Sequence, residues 1–246
     1  MLVGGAAIVG ASLAAGRSGD ADAKPPASGP WAVELFTSQG CSSCPPADAL
    51  LGKLARRADL VALSFHVDYW DYIGWKDPFA TPETTARQRD YARALRQRYV
   101  YTPEMVIDGI AHDAGVKRGP IEALLAKAQR RMTERATPEL TRARDGTLTV
   151  RLAAFKFDAP PADVILAIYD RRHSTPVPRG ENKGRMLENF NVVRRLETIA
   201  RWNGAEASWT VPADRLAAGQ GMAVLVQEND CGPMLGCNKL EPMVTG

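Results

Sequence analysis

Cys41 and Cys44 stand three residues apart, after the apolar run Trp31 to Thr37 and directly before Pro45, Pro46 and a helical pattern. A thiol at a helix N-terminus lies among peptide N–H groups of partial positive charge, which stabilise the thiolate over the thiol. The prolines cost such a site little, because first-turn N–H groups have no intrahelical partner. Cys41, at the exposed mouth of the turn, is the expected nucleophile of a dithiol–disulfide site, and Cys44, inside the first turn, the expected resolving thiol. A purely structural Cys41–Cys44 disulfide is the alternative.

Those residues need a scaffold, and the surrounding pattern supplies one. Trp31 to Thr37 reads as a buried strand. Ala47, Leu50, Leu51 and Leu54 recur at helical spacing, and Val61, Leu63, Phe65 and Val67 alternate as a second strand. Strand, helix, strand with short connections is a right-handed βαβ unit with parallel strands. An aromatic loop, Asp68 to Trp75, follows. Thr81 as N-cap and Pro82 at the first helical position open a helix expected to reach about Arg98. After Thr102-Pro103 a short apolar strand runs to Asp108-Gly109, a hairpin signal, and a brief return strand is expected over Ile110 to Ala114. Gly119-Pro120 opens a last helix with Ile121, Leu124, Leu125 and Ala128 on one face.

The order β-α-β-α-β-β-α, with Cys-x-x-Cys after the first strand and Thr-Pro before the third, resembles the thioredoxin fold. More closely, Phe36 to Asp48, the segment from His66 to Trp70 and Thr102 to Gly109 resemble an exported bacterial thioredoxin-like family of unknown function, the type called domain of unknown function 1223. These motifs cover roughly residues 31–136. The resemblance implies an α/β thioredoxin-like domain with a mixed four-stranded sheet. It also implies that Pro103 is a cis proline forming the substrate-side wall beside Thr102; an ordinary turn proline is the alternative. Parallel first and second strands and an antiparallel third would bring the Cys turn, the His66–Trp75 segment and Thr102-Pro103 to one sheet edge. Glu34, in a strand covered on both faces, would be desolvated and could accept the proton of Cys44; a hydrogen-bonded structural role is the alternative. His66 is a candidate for tuning the thiolate, contacting substrate or binding metal, although such a histidine is more often a satisfied strand residue. Trp70, Tyr72 and Trp75 read as groove-lining or loop-packing aromatics.

After Ala136 the texture changes to short strands with Gly and Pro turns, at 138–155, 163–170, Asn191 to Ile199 and Met222 to Gln227, with ambiguity between strand and helix around 192–202. These predict a small all-β sandwich-like domain over 137–246. Gly180 to Arg185 reads as a polar hairpin tip. Of the three pairings that four cysteines allow, sequence proximity favours two local bridges, so Cys231 and Cys237 are expected to staple a loop. A four-cysteine zinc site fits that spacing poorly.

Residues 1–23 contain an uncharged Ala/Gly/Leu/Val run and a small-x-small sequence at Ala21 to Ala23. They read as a signal peptide, or as an N-terminal anchor if uncleaved, with a linker over 24–30. The expected location is periplasmic or secreted, a compartment that permits disulfides. With 31 Lys and Arg against 28 Asp and Glu, the formal net charge of +3 argues against a nucleic-acid partner. The arginines at 87, 89, 93, 96 and 98 read as a solvated helix face. Taken together, the expected activity is thiol–disulfide exchange on proteins or small thiols of the cell envelope, with no cofactor and no metal. Two other readings are a Cu(I)-handling protein with His66 as third ligand to the thiolates, and a non-catalytic binding module.

Overall fold

The computed structural model describes residues 29–158 and 161–242; the expected signal segment and most of the expected linker lie outside these residues. The first part of the chain runs β1 (Trp31–Thr37), α1 (Pro45–Leu54), β2 (Leu60–His66), a single 3₁₀ turn, α2 (Pro82–Ala94), β3 (Glu104–Ile107), β4 (Ala111–Asp113) and α3 (Arg118–Arg131). β1 pairs with β2 in parallel and with β3 antiparallel, and β3 pairs with β4 through the Asp108-Gly109 turn. Thr81 Oγ1 accepts the N–H of Thr84 at 3.2 Å, with Pro82 beginning α2. That helix stops at Ala94 instead of reaching Arg98, because Arg96 takes a left-handed φ of 55° and turns the chain back.

Period-two alternation along β1 sorts its side chains between two cores. Trp31, Val33 and Leu35 pack with Ala47, Leu50, Leu51 and Leu54 of α1 and with Ile121 and Leu125 of α3. Ala32 and Phe36 face the other way, toward Tyr91 of α2 and Phe65 of β2.

The second part supplies β5 (Glu139–Arg142), β6 (Leu148–Leu152), β7 (Ala162–Pro176), β8 (Met186–Trp202), β9 (Ala207–Val211), β10 (Gln220–Glu228) and β11 (Met234–Leu240). Its strands do not form the separate sandwich expected after residue 136. β8 runs parallel to β2 at Ser64 and Val192, which makes one eight-stranded mixed sheet, β11-β10-β7-β8-β2-β1-β3-β4. Asn191, at a left-handed φ of 45°, fixes the junction by donating from Nδ2 to Ala62 O at 2.8 Å. The sandwich exists only as a second layer: the three-stranded sheet β5-β6-β9 covers one face of β7 and β10, around Val150, Leu166, Val224 and Trp202. The region around 192–202 is strand, part of a long β7–β8 hairpin with 177–185 at its tip. β11 also packs on the segment after α3 so closely that a Cβ on Gly236 would lie 2.1 Å from Ala136 O, which only glycine allows.

Two expectations fail in the core on the α2 face of the large sheet. Cys231 and Cys237 are free thiols. Cys231 sits in the β10–β11 turn at φ 55°, whereas Cys237 lies three residues into β11, facing the core, where its Sγ donates to Pro30 O at 3.1 Å. About 10 Å of strand separates Met234 from Cys237, so β11 carries the second thiol away from the first. Burial pushes Cys231 up to about 11 and Cys237 up to about 12. Arg87, expected on a solvated face, is buried in the same region. Its Nε and Nη2 donate to Glu34 Oε2 and Oε1 at 2.6 and 2.9 Å, and Nη2 also donates to Gln227 Oε1 at 2.9 Å.

Candidate functional site

Cys41 and Cys44 form a disulfide at the N-terminus of α1, with Cys44 in the N-cap position. Both are buried; Cys41 is only 2% exposed, against the expectation of an open mouth, while Ser42 and Ser43 remain at the surface. One wall is the expected one. The Thr102–Pro103 bond is cis, Thr102 O lies 3.8 Å from Cys41 Sγ, and Ser43 Oγ lies 3.3 Å from that sulfur and donates to the same carbonyl at 3.5 Å. Trp70 fixes the wall by donating from Nε1 to Thr102 Oγ1 at 2.7 Å.

The opposite wall comes from far along the chain. Asn182, fully buried in the β7–β8 tip, donates from Nδ2 to Gln39 O and Cys41 O, both at 2.9 Å. Glu181 Oε2 accepts the Ser42 N–H at 3.1 Å, and the Ser42 side chain together with that N–H holds its carboxyl below the usual carboxylate range. The polar hairpin tip is therefore a strap across the Cys loop. No local pattern in the sequence marks Asn182, since its partners lie more than 140 residues away. Removing it should loosen the strap: in reduced Asn182→Ala, alkylation of Cys41 by iodoacetamide is expected to be several-fold faster, in keeping with about 1 kcal/mol per lost hydrogen bond. An unchanged rate would show that the strap does not limit access.

Behind the disulfide lies a buried polar cluster. Thr37 and His66 are register partners at the ends of β1 and β2, and their side chains share the sheet face that α1 covers. Asp48 is one helical turn beyond Cys44, its N–H bonded to Cys44 O at 3.1 Å, so the two side chains lie on one flank of α1. Burial, opposed chiefly by the charge of His66, pushes Asp48 up from 3.8 to about 7. Asp48 Oδ1, His66 Nε2 and Thr37 Oγ1 are buried with no hydrogen-bond partner. His66 Nδ1 lies 2.7 Å from Asp77 Oδ2, which also accepts the Gln39 N–H at 2.7 Å. Burial alone would raise Asp77, but His66 and the N–H groups of Gln39 and Phe79 hold its carboxyl below the usual range. Trp75 donates from Nε1 to Gln39 Oε1 at 3.1 Å, so it braces the Cys loop.

The structure thus gathers Cys41, Cys44, Thr102, Pro103, Trp70 and Trp75. It corrects two other assignments. Glu34 faces α2, on the side of the sheet away from α1, and its oxygens are taken by Arg87 and by Tyr91 Oη at 2.5 Å; it is a structural carboxylate. His66 is fully buried and cannot touch a substrate. Nor does it join the two cysteines as a third ligand: among the described residues, no three His, Cys, Asp or Glu side chains gather as a metal site. Asp48 was detectable as a carboxylate within the apolar stripe of α1, one turn after Cys44.

A mixed α/β protein with a strapped cysteine pair at a helix N-terminus is the class these features define. The chain belongs to a family described as protein of unknown function (DUF1223), whose model matches residues 32–227. It is similar to protein AGR_C_4864 of Agrobacterium tumefaciens, known from a crystal structure: 32% identity over 88% of this chain and 96% of that one, with a TM-score of 0.77. An endonuclease/exonuclease/phosphatase of Beutenbergia cavernae is 16% identical over 42% of this chain and 22% of that one, at a TM-score of 0.24, too low to bear on the fold. No curated protein matches.

Proposed function

We propose that this protein is a thiol–disulfide oxidoreductase built on a thioredoxin-like unit, acting on exported proteins or small thiols of the cell envelope. The observation that carries the reading is the Cys41–Cys44 disulfide between the Thr102 carbonyl and buried Asp48. The strand order β2-β1-β3-β4, with α1 and α3 on one face and α2 on the other, supports the thioredoxin-like assignment.

For the reducing half-reaction, the Cys41 thiolate attacks a substrate disulfide R–S–S–R′. The Cys41–S–S–R bond forms, and R′S⁻ leaves with both electrons of the broken bond. Asp48 takes the proton of Cys44; the Cys44 thiolate then attacks Cys41 Sγ, closes the internal disulfide and releases RS⁻. Both leaving thiolates take protons from solvent. The enzyme's two thiols are oxidised and the substrate disulfide is reduced; the reverse sequence oxidises a substrate dithiol.

The test is equilibration of the Cys41–Cys44 pair against glutathione, with the two single serine variants. The pair is expected to equilibrate, Cys44→Ser to accumulate mixed disulfides on Cys41, and Cys41→Ser to form none. A pair that stays oxidised under strong reductant would overturn the proposal. It would instead support a non-catalytic module with a structural bridge, a reading that the burial of Cys41 favours.

A further inference from the structure

At the C-terminal end of α2, directly before Thr102, Leu95, Arg96, Arg98, Tyr99, Tyr101 and His112 line a cavity of about 260 Å³. It is smaller than pockets for whole small-molecule ligands, which run from about 300 Å³ upward, and so suits one or two side chains of an extended chain. Its rim is aromatic and cationic. Tyr99 is 72% exposed, with its ring 6.4 Å from that of Tyr101; Tyr101 Oη lies 2.7 Å from His112 Nδ1. Arg96 and Arg98 are exposed, and among the described residues neither forms an ion pair.

The acidic groups nearby are already engaged. Glu104, buried beneath, accepts from Gln88 Nε2 and Gln97 Nε2 at 2.8 and 2.5 Å and lies 3.6 Å from His112 Nδ1. Asp113 Oδ1 accepts the Gly115 N–H at 2.9 Å. Asp90 is paired with Arg93. Glu104 and Asp113 keep their charge behind Tyr101, whereas the guanidinium groups of Arg96 and Arg98 face outward at the rim, and arginine and tyrosine are the residue types that carry binding energy at protein interfaces.

We propose that this cavity is the docking subsite for an acidic polypeptide segment whose cysteine or disulfide reacts at Cys41. The inference rests on the redox reading and names its substrate class. The strap of Glu181 and Asn182 closes the opposite wall, which leaves the Thr102 side for an extended chain. Tyr101 adjoins Thr102, whose carbonyl is 3.8 Å from Cys41 Sγ. The cavity lining thus continues along the chain from Tyr101 into the wall of the cysteine site, the course an extended substrate would follow at about 3.3 Å per residue.

The experiment uses peptides with one cysteine in mixed disulfide with 2-mercaptoethanol and with glutamate, glutamine or lysine nearby. Reduced protein reacts with each, and 2-hydroxyethyl disulfide serves as a neutral small substrate. Glutamate peptides are expected to react roughly three- to thirtyfold faster than lysine peptides. The advantage should shrink as ionic strength rises from about 20 to about 300 mM. It should vanish or reverse in R96E/R98E, while the rate with 2-hydroxyethyl disulfide is unchanged. Equal peptide rates, or a preference that survives R96E/R98E, would overturn the subsite and leave the redox reading standing. Loss of reaction with the neutral disulfide in the parent protein would strike the redox reading itself. In that event, titration with the acidic peptide carrying serine for cysteine decides the subsite: saturable binding weakened in R96E/R98E supports it, and absence of binding overturns it.

Discussion

Asp48→Asn is expected to slow the closing of the Cys41–Cys44 disulfide about a hundredfold or more near pH 7, the usual weight of a positioned general base. Asparagine keeps the shape and hydrogen-bonding capacity of the side chain but cannot take the proton of Cys44. The first step, attack by Cys41, should be little changed, so the mixed disulfide accumulates. The deficit should narrow as the pH rises, because solvent base then competes for the proton that Asp48 would take. The same substitution has a signed effect on stability. The folded protein holds the Asp48 proton up to about pH 7, whereas the unfolded chain releases it near 3.8. Asp48 therefore favours folding fully only below about pH 4; that contribution is lost as pH rises to about 7 and is absent above it. The difference amounts to at most about 4 kcal/mol. Oxidised Asp48→Asn should lack this slope and gain on the parent protein with rising pH. Rapid-quench measurement of mixed-disulfide decay and urea unfolding across pH 4 to about 8 check both halves. Parent-like decay at pH 7 would remove Asp48 from the proton path, and parallel stability curves would show that its burial is not costly.

The second large effect is purely structural. Arg87→Ala should cost about 3–5 kcal/mol, because it strands a buried carboxylate. Arg87 ties three elements together: Glu34 on β1, Tyr91 one turn along α2, and Gln227 on β10. Its guanidinium also lies 4.9 Å from the Tyr91 ring centroid and 5.7 Å from that of Phe65. Arg93→Ala, which breaks an exposed pair with Asp90 on the same helix, should stay within about 0.5 kcal/mol. The joint change Glu34→Gln with Arg87→Met should recover part of the loss, since no uncompensated charge remains. Shifts in the urea midpoint at constant slope measure all three. A loss under about 1 kcal/mol for Arg87→Ala would mean that water reaches Glu34.

What was legible in the sequence was local. The Cys-x-x-Cys turn after an apolar strand, the Thr81-Pro82 helix start and the Asp108-Gly109 hairpin each follow from chemistry within a few residues. The assignment of Glu34 failed on parity. Odd-numbered β1 side chains meet α1, so an even-numbered one faces α2; alternation, had it been combined with the helix positions, excludes Glu34 from the Cys44 side. Arg87 failed for a related reason, since a helical arginine cluster does not reveal which member has a buried carboxylate opposite it. The free state of Cys231 and Cys237 turns on where β11 begins. Nearness in sequence put the thiols together, and a strand of unforeseen register separates them. The β7–β8 strap was illegible, because Asn182 meets Gln39 and Cys41 only once a long hairpin has been laid beside β2.

The junction of β2 with β8 has a consequence for how this chain can be divided. A fragment ending near residue 136 would keep the cysteines, the Thr102 wall and Asp48, yet leave β2 as a bare sheet border. Its N–H and C=O groups would be free to recruit a foreign strand. It would also lose Gln227 opposite Arg87 and the strap over Cys41. The cysteine-bearing half is thus not a portable module with an accessory attached. The C-terminal half guards that border.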